Sequence, residues 1–285
     1  MDRHSFFFEI WLLGASLVWG SAPTTSFSQA VSVPLPSQDE LNSPDWTVRR
    51  GAFAKLVGTN PENYANRGLV YVARLLRNTL QKEPKNREAR RTGLIKLLET
   101  ENGVVEEKRL KRLASRLETP DEKDLLSEEY VNYYGDVIAA IATLKDPRAL
   151  NALLGAITTG NMATRTLVSF GKPAVEPVTQ RLQHPDPRVR VAATWTLSQM
   201  LEASEIANDP VSRSKIKAAL IRAATDNDPF VRREAVDGLA RVGDQESIAL
   251  LEKIARTDPY RADFLQGTYV VREAATKALQ ARRPK

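Results

Sequence analysis

One short pattern, stated several times, constrains this chain more than any other feature. Val231-Arg232 is followed by Ala235 and Leu239. Val189-Arg190 is followed by Ala193 and Leu197, Val271-Arg272 by Ala275 and Leu279, and Val48-Arg49 by Ala52 and Leu56. Offsets of four and eight residues return to one face of an α-helix. Each copy therefore predicts a helix with its valine, alanine and leucine turned inward. Asp186, Asp228 and Asp45 each stand three residues before the valine, and Pro187 and Pro229 follow the first two. An aspartate there suits a helix N-cap, and a proline suits the first turn. The copies at Val189, Val231 and Val271 lie 42 and 40 residues apart. Degenerate copies run from Asn86 to Leu94 and through Ala163, Leu167 and Gly171.

Partner helices are expected at 173–182, 214–224 and 245–256. Two of them follow glycine turns, Phe170-Gly171-Lys172 and Val242-Gly243-Asp244. The excess over a bare helix pair falls in insertions at 202–214 and 258–269. One helix pair cannot bury its apolar stripe alone, whereas stacked pairs can. No segment shows sustained period-2 alternation. The fold class expected is all-α: an α-solenoid with a right-handed superhelix, made of roughly five to six helical pairs. It should span 45–285, less regular over 45–144 and regular over 145–285. In the less regular part, helices are expected at 45–56, 69–80, 86–98, 103–117, from 119 onward and at 130–144, and the regular part opens with one from 146 through 157.

Asp-Pro-x-Val-Arg-x-x-Ala-x-x-x-Leu, then glycine and a second helix, resembles HEAT repeats of the short bacterial kind first described in phycobilisome lyases. Gly171-Lys172-Pro173-Ala174-Val175-Glu176-Pro177 is similar to the start of such a repeat's first helix. The resemblance is strong over 145–285 and weaker over 45–144. It implies an α-solenoid and a protein–protein scaffold. It does not imply lyase activity.

Ahead of the repeats, Arg3 and His4 precede an apolar run, Phe6-Phe7-Phe8 and then Ile10 through Val18, followed by small residues. This reads as a secretory signal peptide over 1–30, despite Asp2 and Glu9. Cleavage after Ser28-Gln29-Ala30 would leave Val31 first. Gly20-x-Ala22 also fits but puts Pro23 after the cut. The run is about half the ~20 residues that span a bilayer, so no stable membrane span is expected. Residues 31–44, rich in proline and serine, are expected to form an extended linker. The expected location is outside the cytoplasm, periplasmic or secreted if the source is bacterial.

The chain has no cysteine and only two histidines, His4 and His184. That excludes disulfides, thiol nucleophiles and zinc–thiolate or multi-histidine metal sites. His184 lies in a proline-flanked turn and reads as a solvated turn residue. No phosphate-cradling glycine loop is present, and adjacent acids such as Glu106-Glu107 diverge on a helix. The expectation is a monomeric, non-enzymatic scaffold with no cofactor, catalytic residue or metal, holding a protein or peptide on its concave face.

Positions two, six and ten after the repeat valine point away from the core, onto the inner face made by the second helices. They supply the candidate partner-binding residues Trp195, Gln199, Arg233, Asp237, Arg241 and Lys277. Tryptophan and arginine dominate binding hot spots. Trp195 has a second reading, packed against the 202–214 insertion. The repeated arginines read as a structural ladder with the capping acids, or with their neighbours in the next repeat. Trp46 reads as structural, and Tyr133 as core with Tyr130 and Tyr134 at its margin. The alternative function rests on a basic stretch over 74–116: Arg74, Arg77, Arg90, Arg91, Arg109 and Arg112. A net charge of +6 permits polyanion or nucleic-acid binding there without demanding it. Thin aromatic interleaving and the signal peptide both weigh against nucleic acid.

Overall fold

The computed structural model describes residues 33–64, 68–114, 126–262 and 267–281. The side chains of residues 69 and 110–114 are not among those described. The expected signal peptide lies outside the described residues, as does the helix start at 119. Fourteen α-helices occur among the described residues. They are α1 (Gln38–Asn42), α2 (Trp46–Val57), α3 (Leu69–Lys82), α4 (Arg87–Ala114), α5 (Glu128–Leu144), α6 (Leu150–Gly155) and α7 (Asn161–Phe170). Then follow α8 (Lys172–Gln180), α9 (Pro187–Met200), α10 (Ser204–Ala207), α11 (Pro210–Ala223), α12 (Pro229–Val242), α13 (Gln245–Thr257) and α14 (Val270–Ala281). No described helix is long and apolar enough to cross a membrane.

The larger helices form two rows. In one, α3 packs on α5, α5 on α7, α7 on α9, α9 on α12 and α12 on α14. In the other, α2 packs on α4, α4 on α6, α6 on α8 and α8 on α11. The chain zigzags between the rows, so one apolar core runs continuously from Leu41 to Ala275. Ala193, Leu197, Val231, Ala235, Leu239, Val271 and Ala275 are fully buried within it, as the four-and-eight spacing predicts. Val189 and Leu279 are only half-buried against it and Val48 is exposed, so the inward expectation fails for Val48, at the first turn of α2. The clear copies on α9, α12 and α14 share one row. The copy on α2 stands in the other, so the pattern changes rows between Val48 and Val189.

The capping aspartates do what their position predicts. Asp186 accepts from the Arg188 backbone N–H at 2.9 Å, Asp228 from Phe230 at 2.9 Å, and Asp45 from Thr47 at 2.8 Å. Each fills a donor that the first helical turn leaves open. Gly243 ends α12 in the left-handed region at φ 66°, a conformation that glycine adopts without strain.

Three expectations need correcting. Residues 33–44 are not an extended linker throughout. Ser37 and Glu40 form a reciprocal capping box that starts α1, and Leu41 and Val33 are buried. The two helices expected at 86–98 and 103–117 are one helix of 28 residues, α4. The polar stretch at its middle looked like a break, but tertiary partners hold it helical. Glu101 is fully buried among hydrogen-bond donors. Asn102 donates to the Ala152 carbonyl at 2.7 Å and accepts from Tyr134 at 2.6 Å. The 202–214 insertion is also shorter than expected, because Asp209 caps α11 four residues earlier than the predicted start.

Candidate functional site

The repeated arginines form a built ladder. Arg190 donates from Nε and Nη2 to Asp226, both at 2.8 Å, and Arg232 does the same to Asp258 at 2.7 and 3.0 Å. Each guanidinium also donates from Nη1 to the carbonyls five and six residues before it: Pro185 and His184 for Arg190, Asn227 and Asp226 for Arg232. The acid therefore comes from the following repeat, and it is not the capping aspartate. Burial acts to raise the Asp226 carboxyl, but the Arg190 hydrogen bonds and charge hold it below the usual range. The ladder members are committed to the fold.

Arg49 repeats the geometry at the other end of the chain, donating from Nη1 to the Ser43 and Pro44 carbonyls. Its carboxylate partner is different. Nε and Nη2 meet Glu101 of α4 at 2.5 and 2.8 Å, and the same carboxylate accepts from Tyr130 at 2.7 Å and Tyr133 at 2.9 Å. Tyr130, Tyr133 and Tyr134 are all buried, so Tyr130 and Tyr134 are core residues and not its margin. Trp46 packs edge-on against Tyr130, with ring centroids 5.6 Å apart. A second buried pair joins Tyr64, as donor, to Asp136. Burial pushes the Asp136 carboxyl up, opposed by the Tyr64 hydrogen bond and the charge of Arg50.

The basic stretch does not survive as one surface. Arg90 is fully buried: it donates to the carbonyls of Lys55, Leu56 and Val33 and pairs with Glu83. It is a structural residue, because a buried guanidinium needs its acceptors. Arg109 pairs with Glu106 on its own helix and lies 3.7 Å from Asp186. Arg91 is half-buried, and the Arg112 side chain is not described. Arg74 and Arg77 are exposed, but they sit on α3, in the row opposite α4. Sequence order had joined residues that the two rows separate.

The six candidate partner-binding residues share a row. Trp195 and Gln199 lie on α9, Arg233, Asp237 and Arg241 on α12, and Lys277 on α14. That face belongs to the row α7–α9–α12–α14 itself. The second helices α8, α11 and α13 lie on the far side of the buried residues, so the expectation of a shared inner face is corrected. On those second helices, charged side chains close on one another across helices. Lys172 meets Asp209 at 3.5 Å, Lys215 meets Glu176 at 3.7 Å, and Lys217 meets both Asp244 and Glu246.

On the first-helix row, Trp195 is half-buried and is not among the side chains packed on the core. It lines an open cleft of about 310 Å³ with Gln199, Val168 and Arg165 of α7, and Glu202 and Ala203 after α9. The start of the insertion, Glu202 and Ala203, forms one wall of this cleft, and its other side is open. Arg241 pairs with Glu202 at the rim, and Arg233 meets Glu234 at 3.1 Å. Asp237 is half-buried, and Lys277 is exposed. The α7 wall, Arg165 and Val168, was missed because α7 carries only a degenerate copy of the pattern. Burial raises the Glu234 carboxyl to about 6, with Arg233 opposing and Asp237 adding to the shift.

Two rows of antiparallel helices, stacked pair on pair and tied by arginine rungs, define an α-solenoid of helical repeats. The family described as HEAT repeats matches residues 204–280, and the HEAT repeat family matches 174–204. Residues 174–280 therefore carry HEAT repeats. No curated protein matches the chain. Two solved structures overlap it loosely. A crystal structure of an engineered protein shows 15% identity and a TM-score of 0.38, covering 85% of this chain and 93% of that one. A designed armadillo repeat protein shows 17% identity and a TM-score of 0.36, covering 86% of this chain and 98% of that one. The assignment rests on the family matches and the helix order.

Proposed function

We propose that this protein is a non-enzymatic, exported scaffold that holds a protein or peptide partner on the α7–α9–α12–α14 face, with Trp195 as anchor. The carrying observation is the contrast between the rows. Ion pairs form on both rows, and the first-helix row adds a half-buried tryptophan in an open cleft. A half-buried aromatic beside a cleft gains apolar contact when a partner covers it, and such residues dominate binding energy. The positions around it, Gln199, Arg233, Asp237, Arg241 and Lys277, differ from repeat to repeat. Variable side chains on a fixed frame suit specific recognition.

Protein captured from an extract of the native compartment tests the reading. Trp195→Ala should lower capture of the same partner by at least about tenfold, with an unchanged melting temperature. Equal capture by the variant rejects the anchor role, and a large loss of stability makes Trp195 a core residue. Export is checked by fractionation and N-terminal sequencing. Mature protein beginning at Val31 outside the cytoplasm is the expected result, and full-length cytoplasmic protein rejects it.

A further inference from the structure

Arg165 gives the cleft a charge preference. It is exposed on α7, lines the cleft with Trp195, and forms no ion pair among the described residues. The other two charged groups at this place, Glu202 and Arg241, neutralise each other. The cleft therefore keeps one uncommitted cation beside an apolar wall of Trp195, Val168 and Ala203. We infer that its occupant is an acidic peptide segment, with an apolar side chain against Trp195 and a carboxylate one or two residues away meeting Arg165.

The inference rests on the proposed peptide-binding function and deepens it. Gln199, half-buried at the same cleft, carries an amide with both a donor and an acceptor. That is the chemistry needed to meet the backbone of an extended segment. A guanidinium pairs with a carboxylate through two parallel hydrogen bonds, which fixes orientation as well as charge. A basic segment would instead place its cation against Arg165, with Glu202 already occupied by Arg241. Arg165 is then a specificity residue, and Trp195 supplies most of the affinity.

The test is selection from a randomised short-peptide library displayed against the full mature protein, repeated with Trp195→Ala and Arg165→Glu. Both variants are first checked for an unchanged melting temperature. The expected result is enrichment of peptides that join an apolar residue to a nearby Asp or Glu. Their binding should be lost in Trp195→Ala and weakened roughly fivefold in Arg165→Glu, with the fivefold difference shrinking as salt rises. Library selection on Arg165→Glu should shift toward basic peptides. Enrichment that depends on Trp195 but shows no acidic bias overturns this inference and leaves the peptide-binding function standing. Enrichment that ignores Trp195 overturns both.

Discussion

Between residues 184 and 258, neighbouring repeats are joined by a part used twice: an arginine that reaches two carbonyls behind it and one carboxylate ahead. Between residues 45 and 144, the same join is made by parts used once. Arg49 keeps the two carbonyls but takes its carboxylate from the middle of a long helix, and two tyrosines share that carboxylate. A repeated rung needs only one turn aspartate that reaches the arginine of the preceding first helix. A single-use cluster needs four side chains from three helices, all buried. The first keeps a small exposure, its side chains 4–16% open to water, and the second is dry. Regularity of sequence and depth of burial at the joins are therefore separate properties of a solenoid.

The sharpest way to break the contrast is Glu101→Gln. Arg49 and Glu101 are almost fully buried, so the change leaves a guanidinium without its counter-charge. A loss of about 3–5 kcal/mol is expected in denaturant unfolding. A loss under about 1 kcal/mol would show that the cluster is no stronger than a surface pair. Arg232→Ala should cost less, about 2 kcal/mol, because the rung is partly open to water while Asp258 is left buried. Combined with Arg190→Ala, its effect should not be additive: Asp226 serves Arg190 with its carboxylate and Arg232 with its carbonyl.

The smallest stability change expected is a gain. Glu234 is largely buried, and its carboxyl is raised to about 6 from 4.5. The folded state thus holds this proton more tightly than the unfolded chain does. No penalty exists below the unfolded value; it develops as pH rises through about 6 and stays constant above. Glu234→Gln should leave stability unchanged at pH ~4 and raise it by about 2 kcal/mol above pH ~7. A uniform effect at both pH values would show that the carboxylate is not strained by burial.

Much of the solenoid was legible because copies can be compared with one another. Ala235 and Leu239 declared their burial through Ala193 and Leu197, whereas the valine position varies: Val231 is buried, Val189 half-buried and Val48 exposed. The caps Asp186 and Asp228 were legible for the same reason. The rung acceptors were not, because Asp226 and Asp258 sit in turns of different length, and proximity in sequence favoured the capping acids. Glu101 had no copy to betray it, and a buried carboxylate in a polar stretch looks like a break. Helix α1 did carry a signal, Ser37 with Glu40 three residues on, but the surrounding prolines outweighed it. At the candidate site, Trp195 stood out as an aromatic among polar residues. Arg165 and Val168 belong to the preceding repeat, and only stacking brings them beside it.

Asp226 has a consequence for how the molecule bears force. Its carboxylate grips the repeat behind and its carbonyl the repeat ahead, so a pull along the row is shared between that turn and the apolar packing of α9 on α12. The polar link is the directional part of that load path, and extension would begin where turn and packing together are weakest. A solenoid tied in this way acts as a spring whose stiffness is set turn by turn, and a partner lying across α9 and α12 would clamp the link that Asp226 forms.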